Sequence, residues 1–383
     1  MPYPLAYTIA GRPTCVIRTH ALTRRGQLSA MTIEPGKRAY PPSAPGALPR
    51  TDGYDPFARG RYPVGVRTLQ ARDTARNRLF PCEVWYPSAA QHAGQDIAPA
   101  TQDAFVDPPR GTPSTTLRRQ MAVRNAASHP GIYPLIVFSH SSGGRRRQST
   151  FLCTHLSSHG YVVAALDHSE VITPELARKE GETSEQTMAR AQAWIANRVP
   201  DIRFLLDLLL QGAAWDPQVH IDPGRIGIAG HSFGGWTALA TLETDERIRA
   251  VVALAPGGSS HPPPGIIPAQ LTFAWGRDVP ALYLVAENDT ALPLEGMYEL
   301  FERTQATKQM VILRRADHDH FMDDFEPQPG LCSAQEAHVF VCGLTLCHLD
   351  AVLRQQALAQ QFLAGDVEAE LAARGVDAIV YRS

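Results

Sequence analysis

Hydrophobic and polar positions change pattern along the chain. Residues 1–58 hold Pro41, Pro42, Pro45 and Pro49, scattered Gly and Arg, and little apolar periodicity. They read as an N-terminal arm without a core of its own, partly extended or disordered, and Met31 is an alternative start. From about Tyr62 the segments PVGVRTLQA and PCEVWYP read as two strands, an antiparallel edge pair. A polar stretch rich in Pro, Gly, Ser and Thr, from about Ser88 to Pro130, reads as a long surface loop or insertion. From Tyr133 onward short apolar runs alternate with helical patterns. YPLIVFS, YVVAALD, RIGIAG, RAVVALAP, PALYLVAE and MVILRR have the branched, apolar character of buried parallel strands. Between them, RRQSTFLCTHLSSHG predicts a helix closed by Gly160. Residues 171–199 are polar and helical, and Pro200 starts or kinks a helix through DIRFLLDLLLQ. FGGWTALATLE, residues 294–303 and the region from Ser333 to about Ala364 complete the helical segments.

Strands alternating with helices imply right-handed crossovers and a mostly parallel central sheet with helices on both faces, an α/β fold. In such sheets the site lies at the carboxyl ends of the strands, so the loops after Ser139, Gly230, Glu287 and Arg315 should converge. Residues 59–383 are expected to form one catalytic domain, with a cap over the site at 171–199.

Composition narrows the function classes. The chain has 383 residues, 44% of them hydrophobic, enough for a large core. A formal net charge of −2 gives no electrostatic reason to expect nucleic acid or an anionic membrane as partner. None of the six cysteines forms a CxxC pair, which leaves a zinc-ribbon reading without support. Reduced thiols are expected, although Cys332 and Cys342 could pair in an oxidising compartment. The N-terminus lacks the apolar core of a signal peptide and no run of about 18 apolar residues is evident, so a cytoplasmic chain without a membrane span is expected. Oligomeric state is not legible.

The chemistry starts at Gly230-His231-Ser232-Phe233-Gly234-Gly235, a GxSxG sequence between the strand IGIA and the helix FGGWTALATL. A sharp strand-to-helix turn exposes the serine hydroxyl, and glycines flank it where a Cβ would clash. The helix N-terminus adds N–H groups and a favourable dipole for a developing oxyanion. A glycine-rich packing turn is the plainer reading of such a motif, but both flanks match the catalytic one.

From Arg61 to about Phe325 the chain resembles the α/β-hydrolase superfamily, and within it the platelet-activating-factor acetylhydrolase group and related dienelactone-hydrolase-like esterases. The similar stretches are PVGVRTLQARD…EVWYPS, VFSHSSGGRRRQSTFLCTHLSSHGYVVAALDHSE and GRIGIAGHSFGGWTAL. The resemblance implies an α/β-hydrolase fold, a lipase-like serine esterase and a triad in the order Ser, Asp or Glu, His. Ser232 is then the nucleophile. Asp289, just past the strand PALYLVAE, is the expected acid, with Glu287 as fallback. The pattern Ala316-Asp317-His318 makes His318 the expected base; His320 competes, and otherwise lines the pocket or stacks on Phe321. One oxyanion donor is expected at the Phe233 amide. The other, by likeness to an HG-type motif, falls at Ser142, where Ser141 replaces the usual glycine.

The remaining signals are weaker. His318, Asp319, His320, Asp323 and Asp324 are metal-ligand types, but a complete nucleophile elbow already accounts for a histidine there, and neither a metal nor a cofactor is expected. Arg145, Arg146 and Arg147 could attract a substrate carboxylate; a solvated helix face is the commoner outcome. The reading is therefore a serine hydrolase that cleaves small-molecule carboxylic esters through an acyl-enzyme. Lactone or peptide hydrolysis, acyl transfer, or a non-catalytic interaction protein on a hydrolase scaffold are the alternatives.

Overall fold

In the computed structural model, the structure describes residues 53–106, 117–211, 215–325 and 328–382. The first two strands, β1 (Val64–Asp73) and β2 (Arg78–Pro87), form the expected antiparallel pair. The stretch expected as a loop holds a small hairpin, β3 (Asp103–Phe105) with β4 (Arg118–Gln120), and the two-residue β5 (Val123–Arg124), which pairs beside β1. Some of its polar residues turn inward, Asp96, Asp103 and Gln120 among them. Arg124 of β5 reaches Asp103 at 2.6 Å and Glu83 of β2 at 2.6 Å, so charge pairing ties this insertion to the sheet.

Six parallel strands make the centre. They are β6 (Gly131–Ser139), β7 (Val162–Leu166), β8 (Val219–His231), β9 (Ile248–Leu254), β10 (Ala281–Ala286) and β11 (Lys308–Leu313). With β12 (Ala378–Tyr381) antiparallel on β11, the order is β12-β11-β10-β9-β8-β6-β7-β2-β1-β5. Successive side chains point to opposite faces. On β6, Leu135 and Val137 join one apolar core while Ile136 and Phe138 join the other. The first core is closed by α3 (Ser184–Leu210), α4 (Phe233–Thr241) and α5 (Leu294–Arg303), with Ile172 of the short α2 (Ser169–Ile172) packed against it. The second is closed by α1 (Thr150–Ser158), α6 (Ala334–Leu353), α7 (Ala357–Ala364) and α8 (Val367–Ala372).

Several expectations need correction. Pro200 does not start a helix: α3 runs through it, opened by a capping box in which Gln186 N donates to Thr183 Oγ1 at 3.2 Å and Thr183 N donates to Gln186 Oε1 at 2.9 Å. The region from Ser333 to Ala364 breaks into α6 and α7, with Gln355 in the left-handed region at φ 52°. The tail contributes α8 and the edge strand β12. The arm boundary at residue 58 also shifts. Tyr54 Oη donates to Asp350 at 3.1 Å, and the Phe57 ring lies where a Cβ on Gly343 of α6 would be, so residues 53–58 pack on the domain. The rest of the expected arm lies outside the described residues. Among the described residues, α6 alone is long and apolar enough to cross a membrane, although no such run was expected; most of it is buried in the second core.

Candidate active site

Ser232 sits between the end of β8 and the start of α4 with φ 59° and ψ −119°. A non-glycine residue there is strained, and strain of this kind persists only where the surroundings enforce it. Two contacts do so. A Cβ on Gly230 would come within 2.1 Å of Gly234 O, and a Cβ on Gly234 within 2.0 Å of Ser139 O. Both positions therefore need glycine because backbone approaches backbone, as the motif implied. Ser232 N donates to Leu254 O at the end of β9, 2.9 Å away, which fastens the turn to the next strand.

The other two residues arrive from neighbouring strand ends. His318 Nε2 lies 2.9 Å from Ser232 Oγ, and His318 Nδ1 lies 2.6 Å from Asp289 Oδ2. Asp289 is buried. Its Oδ1 accepts from Ala291 N at 2.9 Å and Leu292 N at 2.7 Å, which leaves Oδ2 directed at the imidazole. Glu287, the fallback acid, instead accepts from Arg315 N at 3.0 Å and faces Arg314 at 3.3 Å.

His320 is not part of this line. It is fully buried and does not line the cavity at Ser232; its ring tilts against Phe325, 4.3 Å between centroids, rather than stacking on Phe321. Its Nδ1 is 2.7 Å from Asp317 Oδ1 and its Nε2 3.1 Å from Cys332 O. Asp317 Oδ1 and Cys332 O suit the doubly protonated imidazolium, while Asp317 N, 3.0 Å from Nδ1, also points at the ring. Burial disfavours that charge, but the bonds to Asp317 and Cys332 outweigh it and push the pKa up to about 10. Asp323 is also structural: its carboxylate takes Thr150 N at 2.8 Å and Phe151 N at 2.9 Å at the start of α1. No metal-binding group of His, Cys, Asp or Glu occurs among the described residues.

The loop after β6 approaches from the other side. Ser141 N and Ser141 Oγ both donate to Gln148 Oε1, at 2.9 and 2.7 Å. Ser141 is not among the residues with positive φ, so serine fits where glycine is usual. With the Ser141 amide engaged, Ser142 N–H is the next donor in the loop. Phe233 N–H opens α4, where helix geometry leaves it no intrahelical acceptor. Ser142, Phe233, Ser232 and His318 line one cavity of about 440 Å³. Its apolar wall includes Trp194, Trp236, Ile266, Ile267 and Leu292, and Arg178 also borders it. Trp194 and Arg178 come from the segment expected as a cap. The indole N–H groups of Trp194 and Trp236 donate to Leu176 O and Gln270 O, at 2.7 and 2.9 Å, so both rings are satisfied by protein.

Sequence reasoning missed the residues that hold these parts together. Gln148 Nε2 donates to His231 Nδ1 at 3.0 Å, and His231 Nε2 donates to His318 O at 2.9 Å. A relay thus joins the Ser141 loop to the loop of His318. Arg198 of α3 donates to His140 O at 2.6 Å and Ser141 O at 3.1 Å. The arginine run is a correction too. It precedes α1 rather than lying on its face: Arg146 pairs with Asp167 and Glu83, and Arg147 reaches Glu83 at 3.1 Å, with Glu83 fully buried. The five described cysteines, Cys332 and Cys342 included, are free thiols; Cys15 lies outside the described residues.

Comparison with known proteins supports the α/β-hydrolase fold. The model of the family "Platelet-activating factor acetylhydrolase, isoform II" matches residues 56–200. A platelet-activating factor acetylhydrolase of Cavia porcellus is 27% identical over 232 residues, 50% of this chain and 48% of the relative. One from Gallus gallus is 24% identical over 250 residues, 53% of this chain and 56% of the relative. The chain thus spans about half the length of these curated relatives. A solved ferulic acid esterase from Streptomyces cinnamoneus superposes with a TM-score of 0.58 at 25% identity, over 78% of this chain and 93% of the esterase. The model of the alpha/beta hydrolase family matches residues 136–375, well over half of the chain, from within β6 past the loops that carry Ser232, Asp289 and His318, and the chain belongs to that family.

Proposed function

We propose that this chain is a serine hydrolase that cleaves carboxylic esters through an acyl-enzyme. The observation that carries the reading is the continuous line Asp289–His318–Ser232, with contacts of 2.6 and 2.9 Å, ending on a serine held at positive φ. Asp289 accepts the Nδ1 proton of His318, which leaves Nε2 free to take the proton of Ser232 Oγ as it attacks the ester carbonyl. The amides of Phe233 and Ser142 receive the tetrahedral oxyanion. His318 returns the proton to the leaving alcohol, and a water deprotonated by the same imidazole then releases the acid. The tryptophan-lined cavity takes the apolar part of the ester. The relatives support the ester class, being named as acetylhydrolases and an esterase.

The test is Ser232→Ala, assayed on p-nitrophenyl esters of increasing chain length and probed with a fluorophosphonate. Wild type should label and turn over; the variant should lose labelling and about 10^4–10^6-fold in kcat while remaining folded. Undiminished activity of contaminant-free Ser232→Ala protein would remove the nucleophile and with it the mechanism.

A further inference from the structure

We infer that Arg198 is a positioning residue for the oxyanion hole, orienting the Ser142 amide through the Ser141 carbonyl while packing on the Phe233 ring. The inference rests on the hydrolase reading above. Arg198 lies in α3, some distance along the chain from every part of the triad, and is fully buried. Its guanidinium has two carbonyl partners in the loop after β6: Nη1 donates to His140 O at 2.6 Å and Nη2 to Ser141 O at 3.1 Å. Its Cζ sits 4.4 Å from the centroid of the Phe233 ring. One planar cation thus touches the residue carrying one oxyanion amide and the peptide carrying the other.

The peptide geometry turns this contact into a functional one. The amide of Ser142 belongs to the same planar unit as the carbonyl of Ser141. No cis peptide occurs among the described residues, so that N–H points opposite to that C=O. Whatever fixes the Ser141 carbonyl therefore aims the Ser142 N–H. Three donors converge on this oxygen: Arg198 Nη2, Gly144 N at 3.0 Å and His140 Nδ1 at 2.7 Å. The other Arg198 contact does the same one residue earlier. Holding His140 O directs Ser141 N–H to Gln148 Oε1, which keeps that amide out of the hole. A cationic donor on the carbonyl also polarises the peptide, which strengthens its N–H as a donor.

The burial of the ion pair fits a role in specifying one arrangement. Arg198 pairs with Glu170, also buried, yet Arg198 Nε and Glu170 Oε2 find no partner among the described residues. Buried pairs with unsatisfied atoms are costly to keep, and an apolar pair of the same volume is often as stable or more so. The guanidinium supplies what such a pair would lack, a fork that grips two successive carbonyls.

The test compares wild type, Arg198→Met, Arg198→Lys and Ser232→Ala as full chains, with active sites counted by fluorophosphonate labelling. Two readouts are taken: kcat and KM on p-nitrophenyl butyrate, and inhibition by a trifluoromethyl ketone of matching chain length, whose hemiketal oxygen occupies the hole. Arg198→Met should lose about 10^2-fold in kcat per labelled site, the scale of one misdirected oxyanion donor, with KM within about 3-fold. Affinity for the ketone should fall in the same proportion. Arg198→Lys, whose ammonium cannot grip both carbonyls, should lie between the two and keeps the outcome readable if the methionine variant does not fold. The inference is overturned if a folded Arg198 variant keeps kcat and ketone affinity within about 3-fold of wild type, or loses kcat without losing ketone affinity. Either result beside an inactive Ser232→Ala sinks the positioning role alone; an active Ser232→Ala sinks the hydrolase reading and this inference with it.

Discussion

His320→Ala should weaken the fold and spare the chemistry. His320 is fully buried, with Nδ1 2.7 Å from Asp317 Oδ1 and Nε2 3.1 Å from Cys332 O. The charged hydrogen bond contributes about 1.5–3 kcal/mol and the bond to the carbonyl about 1 kcal/mol. Asp317 is partly exposed and regains water when the imidazole is lost, which trims the penalty. A net loss of about 3 kcal/mol follows, or a Tm lower by roughly 4 °C for a domain of this size. The pH dependence has a definite sign. The folded pKa, about 10, lies above the ordinary value of 6.5. A raised pKa contributes stability that is fully present below about pH 6.5 and lost as the pH rises through about 10. The Tm gap between wild type and His320→Ala should therefore be widest near pH 6 and should narrow toward pH 10. Scanning calorimetry of both proteins across that range measures it, and kcat per labelled active site should stay within about 3-fold. A gap that is flat with pH would refute the imidazolium. A dead His320→Ala beside an active His318→Ala would show that the two histidines have been given each other's roles.

Asp289→Asn should lower kcat by about 10^4-fold with little change in KM, measured with one activated ester. The amide oxygen will stay on Ala291 N and Leu292 N, so the NH₂ faces His318 Nδ1 and forces the proton onto Nε2, where it blocks proton transfer from Ser232. Glu287→Gln should keep kcat within about 2-fold, since Glu287 bonds Arg315 N rather than the histidine; a large loss would reinstate it as the acid. A chain starting at Gly53 should keep wild-type kcat. A chain starting at Gly60 loses the Tyr54–Asp350 bond and the Phe57 ring against Gly343, and should melt several degrees lower, at a cost of about 2–3 kcal/mol. Equal melting of the two truncations would refute the packing assigned to residues 53–58.

What was legible in the sequence was local. The strands at the centre of the sheet are buried on both faces, so each reads as an apolar run whatever its neighbours are. The GHSFGG turn is legible because its glycines stand close together in sequence: Gly230 lets backbone meet backbone at Gly234, and Gly234 does the same at Ser139 of β6. Asp289 and His318 follow from the resemblance, which implies the triad order, together with their places just past two strand ends. Relations between distant residues left weaker traces. β12 is a four-residue strand at the end of the chain, too short for alternation to mark it. The three arginines after Gly144 look like a solvated face if they are placed on a helix, but α1 begins only at Thr150, and residues before a helix turn wherever the tertiary fold needs them.

Arg198 is the most informative miss, because its signal was present. The buried positions of α3 include Ala191, Trp194, Arg198, Ile202, Leu205 and Leu209, a stripe at spacings of three and four that faces the sheet. Arg198 interrupts it one turn after Trp194, and Asp201 lies beside it. A charge on the solvated side of an amphipathic helix needs no explanation, whereas a charge on the apolar stripe must find a partner or destabilise the fold. Glu170 is that partner, and the carbonyls of His140 and Ser141 complete the set. Composition by segment hides this, since residues 171–199 are polar on average and so read as a cap. Residue by residue along the buried stripe, the same segment carries a cation to the underside of the site, and an arginine there can grip a loop that the sequence motifs could locate but not orient.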